Sequence, residues 1–421
     1  MDGGQKRADG DTSRPRHEGS SRDVGPGPRA GVEGVVLAGV HAWGECVLES
    51  VTCRPLFPVA GWPLISHTLA WLRDGGISRA SVCANSDTSA LRRSLGDGDP
   101  LKLNLHYYED KMPRGPAGCA RDAVINSTAD TFVVVEGTVV PSLDMADLIA
   151  SHRASGAVLT VVVSDGENDR KTNDGLEPIG VYVFSRSVLA HIPPTGYQDI
   201  KESLIPRLHA QGQSVGTYVV GHGASPRVTN AASYLAVSKW AVERLTAGER
   251  IPEGYVRLNQ ALVHESARLD GQTRFIGPVL VGPRCRIEEG AMMIGPTCLG
   301  ADCHVAAHAV VSRSILWDKC EVGEGAVLDH CILTNGAIVP GQTTVRETVC
   351  LARGRQRTWR TWLRSLLGRK HGPKRAVQYV SPAGPRIPPA VKARPRPAAV
   401  NTDKQPVGAL PVVSQMRGGD R

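Results

Sequence analysis

The chain has 421 residues, 41% of them hydrophobic, which is typical of a globular protein with more than one domain. No segment has the roughly 18 uninterrupted apolar residues of a membrane-spanning helix, and the first 30 residues lack the apolar core of a secretory signal. The net charge of +8 is unevenly placed, because residues 351–421 contain 16 Lys and Arg against 2 Asp and Glu. The ten cysteines form no CxxC pair or Cys/His zinc motif, so we expect reduced, buried thiols in a cytoplasmic protein.

Residues 1–30 are rich in Gly, Arg, Asp and Ser, and this composition predicts disorder. Residues 31–250 alternate short apolar runs with amphipathic segments, a pattern that predicts a doubly wound α/β domain with a mostly parallel sheet. The predicted strands are Val35–Ala38, Ala80–Ala84, Leu103–Tyr108, Phe132–Val135, Val158–Val163, Ile179–Phe184 and Val215–Val220. The predicted helices are Pro63–Gly75, Thr88–Leu95, Gly118–Asn126, Met145–Ala154, Ser187–His191 and Ile200–Gln211. Such a sheet binds ligands at the carboxyl ends of its strands.

The first strand leads into a stretch that reads GVVLAGVHAWGECVLESVTCRPLFPVAGWPLIS from Gly34 to Ser66. From Leu37 to Ile65 this stretch aligns without a gap with LAGGxGTRLxPLTxxxPKPLLPVAGxPLI. It therefore resembles the signature of the sugar-1-phosphate nucleotidyltransferases, the NDP-sugar pyrophosphorylases. The retained positions are Ala38, Gly39, Pro55, Pro58, Val59, Gly61 and Pro63.

The residues that this family uses for chemistry are replaced in the same stretch. The second and third loop glycines are Val40 and Ala42, the arginine is Gly44, and the lysine is Arg54. Glycine lets the loop backbone approach the triphosphate, and Val40 places a β-branched side chain there. Arg54 keeps a positive charge, although arginine and lysine are not interchangeable.

The two magnesium positions implied by the resemblance are also changed. Phe132–Thr138 resembles the family's FLVLNGD, whose Asp holds the catalytic magnesium, and that position is Thr138. Counting back from Tyr234, which ends the counterpart of DIGTPEDY, places the second magnesium Asp at Arg227. Hard cations prefer carboxylate oxygens. Since Thr138 is uncharged and Arg227 is positive, we expect no metal ligands at these two positions.

Further motifs of the family are kept in part. Pro113–Gly118 resembles the PLGTAGA loop, which contacts the base and the sugar, Ile179–Phe184 resembles the GIYVF strand, and Asp199–Pro206 resembles the DFEKDLLP helix. The nucleotide- or sugar-binding residues that the resemblance implies are Gly39, His41, Gly115, Gly118 and Gly180.

If the protein is active, Arg54 and Glu136 are the catalytic candidates and Mg²⁺ is the cofactor; otherwise no cofactor is expected. Glu136 lies two residues before Thr138, so on a strand the two side chains share a face. Glu45 in the loop is a second carboxylate that could take part in a relocated metal site.

Residues 256–350 carry a hexad repeat that predicts a left-handed parallel β-helix. Large apolar residues recur every six positions at Val263, Leu269, Phe275, Val281, Ile287, Met293, Leu299, Val305 and Val311. Two residues before most of them stands a compact side chain, at Ala267, Thr273, Val279, Cys285, Ala291, Thr297, Cys303 and Ala309. The phase slips near Trp317 and resumes at Val322, Leu328 and Leu333. We expect this domain to support homo- or hetero-oligomers.

Residues 351–376 predict a basic amphipathic helix, and residues 377–421 a disordered tail rich in Pro and basic residues. The apolar face of the predicted helix would carry Trp359, Trp362, Leu363, Leu366 and Leu367. Such a face predicts either peripheral contact with the inner face of a membrane or a cap on the end of the β-helix. We do not expect nucleic acid as a partner.

These features favour a catalytically impaired family member that binds an NDP-sugar or NTP and acts as a regulatory or assembly subunit in polysaccharide or envelope-glycan synthesis. The first alternative is an active sugar-1-phosphate nucleotidyltransferase with a rearranged metal site. The second is a purely structural scaffold or a hexapeptide-repeat acyltransferase, for which His304, His308 and His330 are candidate general bases. Nucleotide binding and turnover distinguish these alternatives.

Overall fold

The computed structural model describes residues 1, 31–39, 46–84, 88–165, 176–221, 223, 225–352 and the backbone of 378–380. The α/β domain consists of β1 (Val32–Leu37), β2 (Pro58–Val59), β3 (Trp62–Pro63), α1 (Leu64–Asp74), β4 (Arg79–Ala84), α2 (Ser89–Leu95), β5 (Asn104–Glu109), α3 (Gly115–Val124), β6 (Thr131–Glu136), α4 (Met145–Ser155), β7 (Leu159–Asp165), β8 (Leu176–Ser185), α5 (Ile205–Ala210), β9 (Val215–Val220) and α6 (Ala231–Ala247). Short 3₁₀ helices span Val47–Ser50, Arg54–Leu56, Asp99–Leu101 and Arg186–His191, and a π-helical turn spans Ile200–Leu204.

Seven strands form one sheet in the order β5-β4-β1-β6-β8-β7-β9. All neighbouring pairs are parallel except the two that involve β8, which runs antiparallel to β6 and β7. Helices α1, α2 and α4 bury apolar residues on one face of the sheet, and α3, α5 and the π-helical turn do so on the other. The predicted doubly wound, mostly parallel architecture is therefore confirmed.

The second half of the described chain is a stack of short strands in three sheets. The strands are β10 (Tyr255–Leu258), β11 (Ala261–His264), β12 (Arg268–Leu269), β13 (Arg274–Ile276), β14 (Val279–Val281), β15 (Arg286–Ile287), β16 (Met292–Ile294), β17 (Thr297–Leu299), β18 (His304–Val305), β19 (Val310–Ser312), β20 (Ile315–Leu316), β21 (Glu321–Val322), β22 (Val327–Asp329), β23 (Ile332–Leu333), β24 (Ile338–Val339), β25 (Thr344–Arg346), β26 (Val349–Leu351) and β27 (Gln378–Val380). Each strand from β11 to β23 pairs in parallel with the strand three places later in the chain, so that the strands stack into three sheets as in a β-helix. The predicted β-helix is confirmed.

The predicted phase slip near Trp317 is a change in coil length. Met292 pairs with Val310, 18 residues later, whereas Ile315 pairs with Ile332, 17 residues later. One corner of each later coil is shorter by one residue. Val322, Leu328 and Leu333 nevertheless point into the interior and are buried.

The α/β domain and the β-helix share an apolar seam. Phe57, which precedes the β2–β3 hairpin, lies 5.4 Å from the ring of Tyr234 in α6 and 5.7 Å from the ring of Trp317 in the β-helix. The Trp317 indole N–H donates to the Tyr234 hydroxyl at 2.8 Å, and that hydroxyl donates to the Pro58 carbonyl at 2.5 Å. Burial raises the pKa of Tyr234 and keeps it a neutral donor. The hairpin of the family signature is thus fixed against the β-helix.

Candidate functional site

The candidate site lies at the carboxyl ends of the central strands. Gly39 follows β1, and Glu136 is the last residue of β6. The two strands are parallel neighbours, with Leu37 paired to Glu136. After Glu136 the chain turns closely over β1, where the Gly137 N–H donates to the Leu37 carbonyl at 2.9 Å. A side chain at Gly137 would lie 3.2 Å from the Ala38 Cα, which explains the glycine.

Two segments far apart in sequence meet beside Glu136. Val139 and Arg227 form an antiparallel β-bridge. The Val228 N–H donates to the Thr138 carbonyl, and the Val140 N–H donates to the Pro226 carbonyl, both at 2.9 Å. The two positions that the resemblance aligns with the magnesium aspartates, Thr138 and Arg227, therefore stand on adjacent segments.

A buried ion pair occupies this junction. The Arg227 Nη2 lies 2.6 Å from the Glu136 Oε2, and the two side chains are 16% and 4% exposed. The Tyr182 hydroxyl on β8 donates to the other carboxylate oxygen at 3.4 Å. Burial and the Glu136 carboxylate raise the pKa of Tyr182, so it is a neutral donor at neutral pH.

Gly180 provides the space for this pair. It has φ +83°, a conformation that costs little only for glycine. A Cβ at this position would collide with the Arg227 Nη2 and lie 2.9 Å from the Glu136 Cδ. The structure therefore gives Gly180 a packing role; its predicted role in nucleotide or sugar binding stays a prediction.

Other charged groups surround the pair. Burial lowers the pKa of the Lys201 ammonium; the Glu136 carboxylate opposes this shift, and the Arg227 charge adds to it. Asp199 caps the π-helical turn, since its Oδ1 accepts from the backbone N–H groups of Lys201 at 2.6 Å and Glu202 at 2.9 Å. Lys201 and Tyr182 belong to the site but were not identified as site residues from the sequence.

The side chains at this point do not fit a divalent cation. Glu136 is already engaged by a guanidinium, and Thr138 offers no charge to balance Mg²⁺. Across the described parts of the chain, no three His, Cys, Asp or Glu side chains come together as a metal-binding group. The arrangement can neutralise a buried carboxylate and present cationic groups.

Arg54, a catalytic candidate if the protein is active, lies in a short 3₁₀ helix and is only 4% exposed. Its Nη2 lies 2.8 Å from the Glu49 Oε2, on the preceding 3₁₀ helix. This ion pair ties together two turns of the signature segment. The catalytic role of Arg54 stays a prediction.

Gly115 and Gly118 lie in the first turn of α3. Gly115 has φ +72°, and a Cβ there would lie 2.6 Å from the Gln198 carbonyl oxygen. That carbonyl accepts from the backbone N–H of Ala117 at 3.0 Å and of Gly118 at 3.5 Å. Gly118 leaves room for the Arg114 side chain, whose Cβ would lie 3.0 Å from a Cβ at Gly118. Close packing therefore explains why both positions are glycine, and their contacts with a nucleotide or sugar remain predictions.

Several predicted site residues lie outside the described part of the chain. They are His41 and the rest of the loop from 40 to 45, including Val40, Ala42, Gly44 and Glu45, together with Trp359, Trp362, Leu363, Leu366 and Leu367. The three candidate histidines of the β-helix are described. His304 Nε2 lies 2.9 Å from the Glu288 Oε1, His330 Nδ1 lies 3.1 Å from the Asp329 Oδ1, and His308 has φ +57°.

Comparison with known proteins gives two domain matches. The family model described as "Nucleotidyl transferase" matches residues 48–176, which begin beyond the loop where the glycines are replaced. The model described as "GMPPB C-terminal domain" matches residues 258–355. Together with the fold, these matches place the chain in the sugar-1-phosphate nucleotidyltransferase family.

The relatives agree with this family. Probable mannose-1-phosphate guanylyltransferase 2 of Oryza sativa subsp. japonica is 25% identical over 343 residues, 70% of this chain and 92% of that protein. Mannose-1-phosphate guanylyltransferase of Mycobacterium tuberculosis is 27% identical over 202 residues, 43% and 56% of the two chains. UTP–glucose-1-phosphate uridylyltransferase of Synechocystis is 22% identical over 342 residues, which cover 70% of this chain and 87% of that protein. None of the described helices is long and apolar enough to cross a membrane.

Proposed function

We propose that this protein is a catalytically impaired member of its family that binds a sugar nucleotide and acts as a regulatory or assembly subunit in polysaccharide or envelope-glycan synthesis. The observation that carries the proposal is the ion pair between Arg227 and the buried Glu136. It stands where the resemblance puts the magnesium site.

Transfer of a nucleotidyl group brings several negative phosphates together, and magnesium with Arg and Lys groups neutralises them in the transition state. Arg227 adds a positive charge at a position where the family needs a metal ligand. In the loop, Val40, Ala42 and Gly44 likewise stand where the family has residues that it uses for chemistry. The loss of these loop residues and of the metal ligands supports a protein that binds the nucleotide without turnover.

The alternative is a working nucleotidyltransferase with a rearranged metal site. The similarity to proteins named as mannose-1-phosphate guanylyltransferases and a glucose-1-phosphate uridylyltransferase favours this alternative. Glu136 is the carboxylate best placed to hold a relocated metal ion, but it would first have to release Arg227.

Calorimetric titration combined with a pyrophosphate-release assay distinguishes the two. The ligands are GTP, UTP, dTTP, GDP-mannose, UDP-glucose and dTDP-glucose, each with and without magnesium, with a known mannose-1-phosphate guanylyltransferase as the positive control. We expect at least one NDP-sugar to bind and no pyrophosphate to be released above background. Turnover would establish the alternative, and failure of every ligand to bind would leave the structural scaffold.

The double substitution Thr138→Asp with Arg227→Asp restores both acidic positions of the family. We expect pyrophosphate release to stay at background, because Val40 still occupies the loop position that needs glycine. The wild-type chain is the matched control. Release clearly above background in the double variant would mean that the two metal positions alone account for the lost activity.

We also propose a division of labour along the chain. Residues 31–250 bind the ligand, residues 256–350 support homo- or hetero-oligomers, and the basic segment 351–376 contacts the inner face of a membrane from the cytoplasm. Co-sedimentation with anionic lipid vesicles, compared between the wild type and the Trp359→Ala/Trp362→Ala variant, tests the membrane contact. Equal sedimentation of both proteins would remove that part of the proposal.

A further inference from the structure

The ion pair at the end of β6 changes what the site can bind. In the family pattern, two aspartates surround a divalent cation. Here one of those positions is the neutral Thr138, the other is Arg227, and the carboxylate paired with Arg227 is Glu136, two residues upstream of Thr138. A side-chain cation thus stands beside a carboxylate in the region that the family uses for an ion.

We propose that the Arg227 guanidinium takes the place of the divalent cation, so that a phosphate group of the sugar nucleotide contacts Arg227 directly and binds without magnesium. The phosphate contact rests on the proposed sugar-nucleotide binding. The replacement of the cation stands on the geometry alone.

The surroundings hold Arg227 in one place. Its backbone is fixed by the bridge to Val139, and its Nη2 lies 2.6 Å from the Glu136 Oε2. Gly180 leaves the space into which the guanidinium fits. A guanidinium stays charged and forms strong, planar contacts with phosphate as well as with carboxylate. The Arg227 side chain is 16% exposed, so it is not completely closed off from solvent.

Neighbouring charges also bear on the ligand. Lys201 is close enough to Glu136 and Arg227 for each to affect its pKa, so it supplies a second cation near the pair. The Asp199 carboxylate is occupied by the backbone of the π-helical turn. A magnesium ion at the same point would be repelled by both cationic groups, whereas a phosphate would be attracted.

The first test uses manganese, which prefers the same oxygen ligands as magnesium and is detected by electron paramagnetic resonance. Arg227→Asp places a carboxylate opposite Glu136, and Arg227→Asn is the matched control of the same shape without the charge. We expect no Mn²⁺ bound to the wild type or to Arg227→Asn, and one Mn²⁺ per chain bound to Arg227→Asp.

Circular dichroism verifies that each variant is folded, and Mn²⁺ should raise the melting temperature of Arg227→Asp alone. Two results would overturn the cation replacement. One is Mn²⁺ bound by the wild type and lost in Glu136→Gln. The other is a folded Arg227→Asp variant that binds no Mn²⁺.

The second test titrates GDP-mannose, UDP-glucose and dTDP-glucose into the wild type and Arg227→Asn, in EDTA and in magnesium. We expect a ligand that binds the wild type equally well in both buffers and binds Arg227→Asn about 10- to 100-fold more weakly, the usual loss for a charge-assisted hydrogen bond. A ligand that needs magnesium, or that ignores the substitution, would refute the phosphate contact. If no ligand binds, the proposed function and the phosphate contact fail together, and the manganese result alone decides the cation replacement.

Discussion

The carboxyl edge of the sheet and the seam with the β-helix both involve the family's sequence motifs, but they have changed very differently. At the seam, the retained Val59 and Phe57, which stands at an apolar position of the signature, are fully buried together with Trp317 of the β-helix. At the sheet edge, the positions of the magnesium ligands hold Thr138 and an arginine paired to Glu136. The part of the motif that packs is retained, and the part that performs chemistry is not. A family signature can therefore be retained where its residues pack, even where the residues that the family uses for chemistry are replaced.

The sharpest way to test the importance of the seam is Trp317→Ala. Trp317 is 1% exposed, contacts Phe57 and Tyr234, and donates a hydrogen bond at 2.8 Å. Removing it should lower the free energy of unfolding by about 3 to 5 kcal/mol, because it leaves a large cavity and takes away the indole donor to the Tyr234 hydroxyl. Urea denaturation followed by circular dichroism measures the change.

Trp62→Ala is the matched control, since Trp62 is a tryptophan of the β2–β3 hairpin that packs at the seam, but it is 37% exposed. It should cost at most about 1 kcal/mol. If the two substitutions cost the same, the aromatic seam does not hold the two domains together in the way that the contacts indicate.

At the sheet edge, the corresponding substitution is Glu136→Gln. It keeps the shape but leaves the Arg227 charge without its 2.6 Å partner. Removing one member of a buried ion pair costs about 3 to 5 kcal/mol, and the partial exposure of Arg227 reduces our expectation to about 2 to 3 kcal/mol. Urea denaturation gives the loss.

A double-mutant cycle with Arg227→Gln gives the coupling between the two side chains. We expect the double variant to lose less stability than the two single variants together, because neither charge is left alone. Additive losses would show that the pair does not interact in solution.

The space around the pair is tested by Gly180→Ala, with Gly156→Ala as control. Both glycines have positive φ, +83° and +62°, but a Cβ at Gly156 has no other atom within 4 Å. The control therefore isolates the cost of the backbone conformation, about 1 kcal/mol. Gly180→Ala should cost about 1 to 2 kcal/mol more, because its Cβ collides with Arg227. Equal losses in thermal or urea unfolding would mean that Arg227 has room to move aside.

The sequence was most informative where a repeating pattern controls the structure. The buried strands, their alternation with helices and the hexads of the β-helix all follow from local periodicity, which is why the fold was predicted. The antiparallel direction of β8 was not specified, since an apolar run such as Ile179–Phe184 carries no information about strand direction.

The site was predicted only in part, for a different reason. Thr138 and Arg227 could be aligned with the family positions, yet the contact of Arg227 with Glu136 joins residues 91 positions apart, and no local pattern reports it. The sequence did contain two changes that point to this contact: a carboxylate at Glu136, just before Thr138, and a positive charge at Arg227. Opposite charges that appear at two positions close together in the family's site suggest an ion pair.

The smallest expected effect concerns His67 in α1, which lies beneath the retained half of the signature and hydrogen-bonds the Val59 carbonyl at 3.0 Å. Burial lowers the pKa of His67 in the folded protein below its ordinary value of about 6.5. Below pH about 6.5 the unfolded chain binds a proton at His67 that the folded chain does not. The stabilising contribution of neutral His67 is therefore present above that pH and is lost as the pH falls through the pKa of His67 in the folded protein.

His152, held between the Thr160 and Ser185 hydroxyls, has its pKa lowered by burial in the same direction. We therefore expect the free energy of unfolding of the wild type to fall between pH 7 and pH 5, and His67→Gln to flatten part of that slope. Urea denaturation at several pH values provides the measurement. A slope that does not change in His67→Gln would mean that the hairpin opens to solvent and lets His67 titrate normally, which would weaken the view that packing against the β-helix is what preserved this half of the motif.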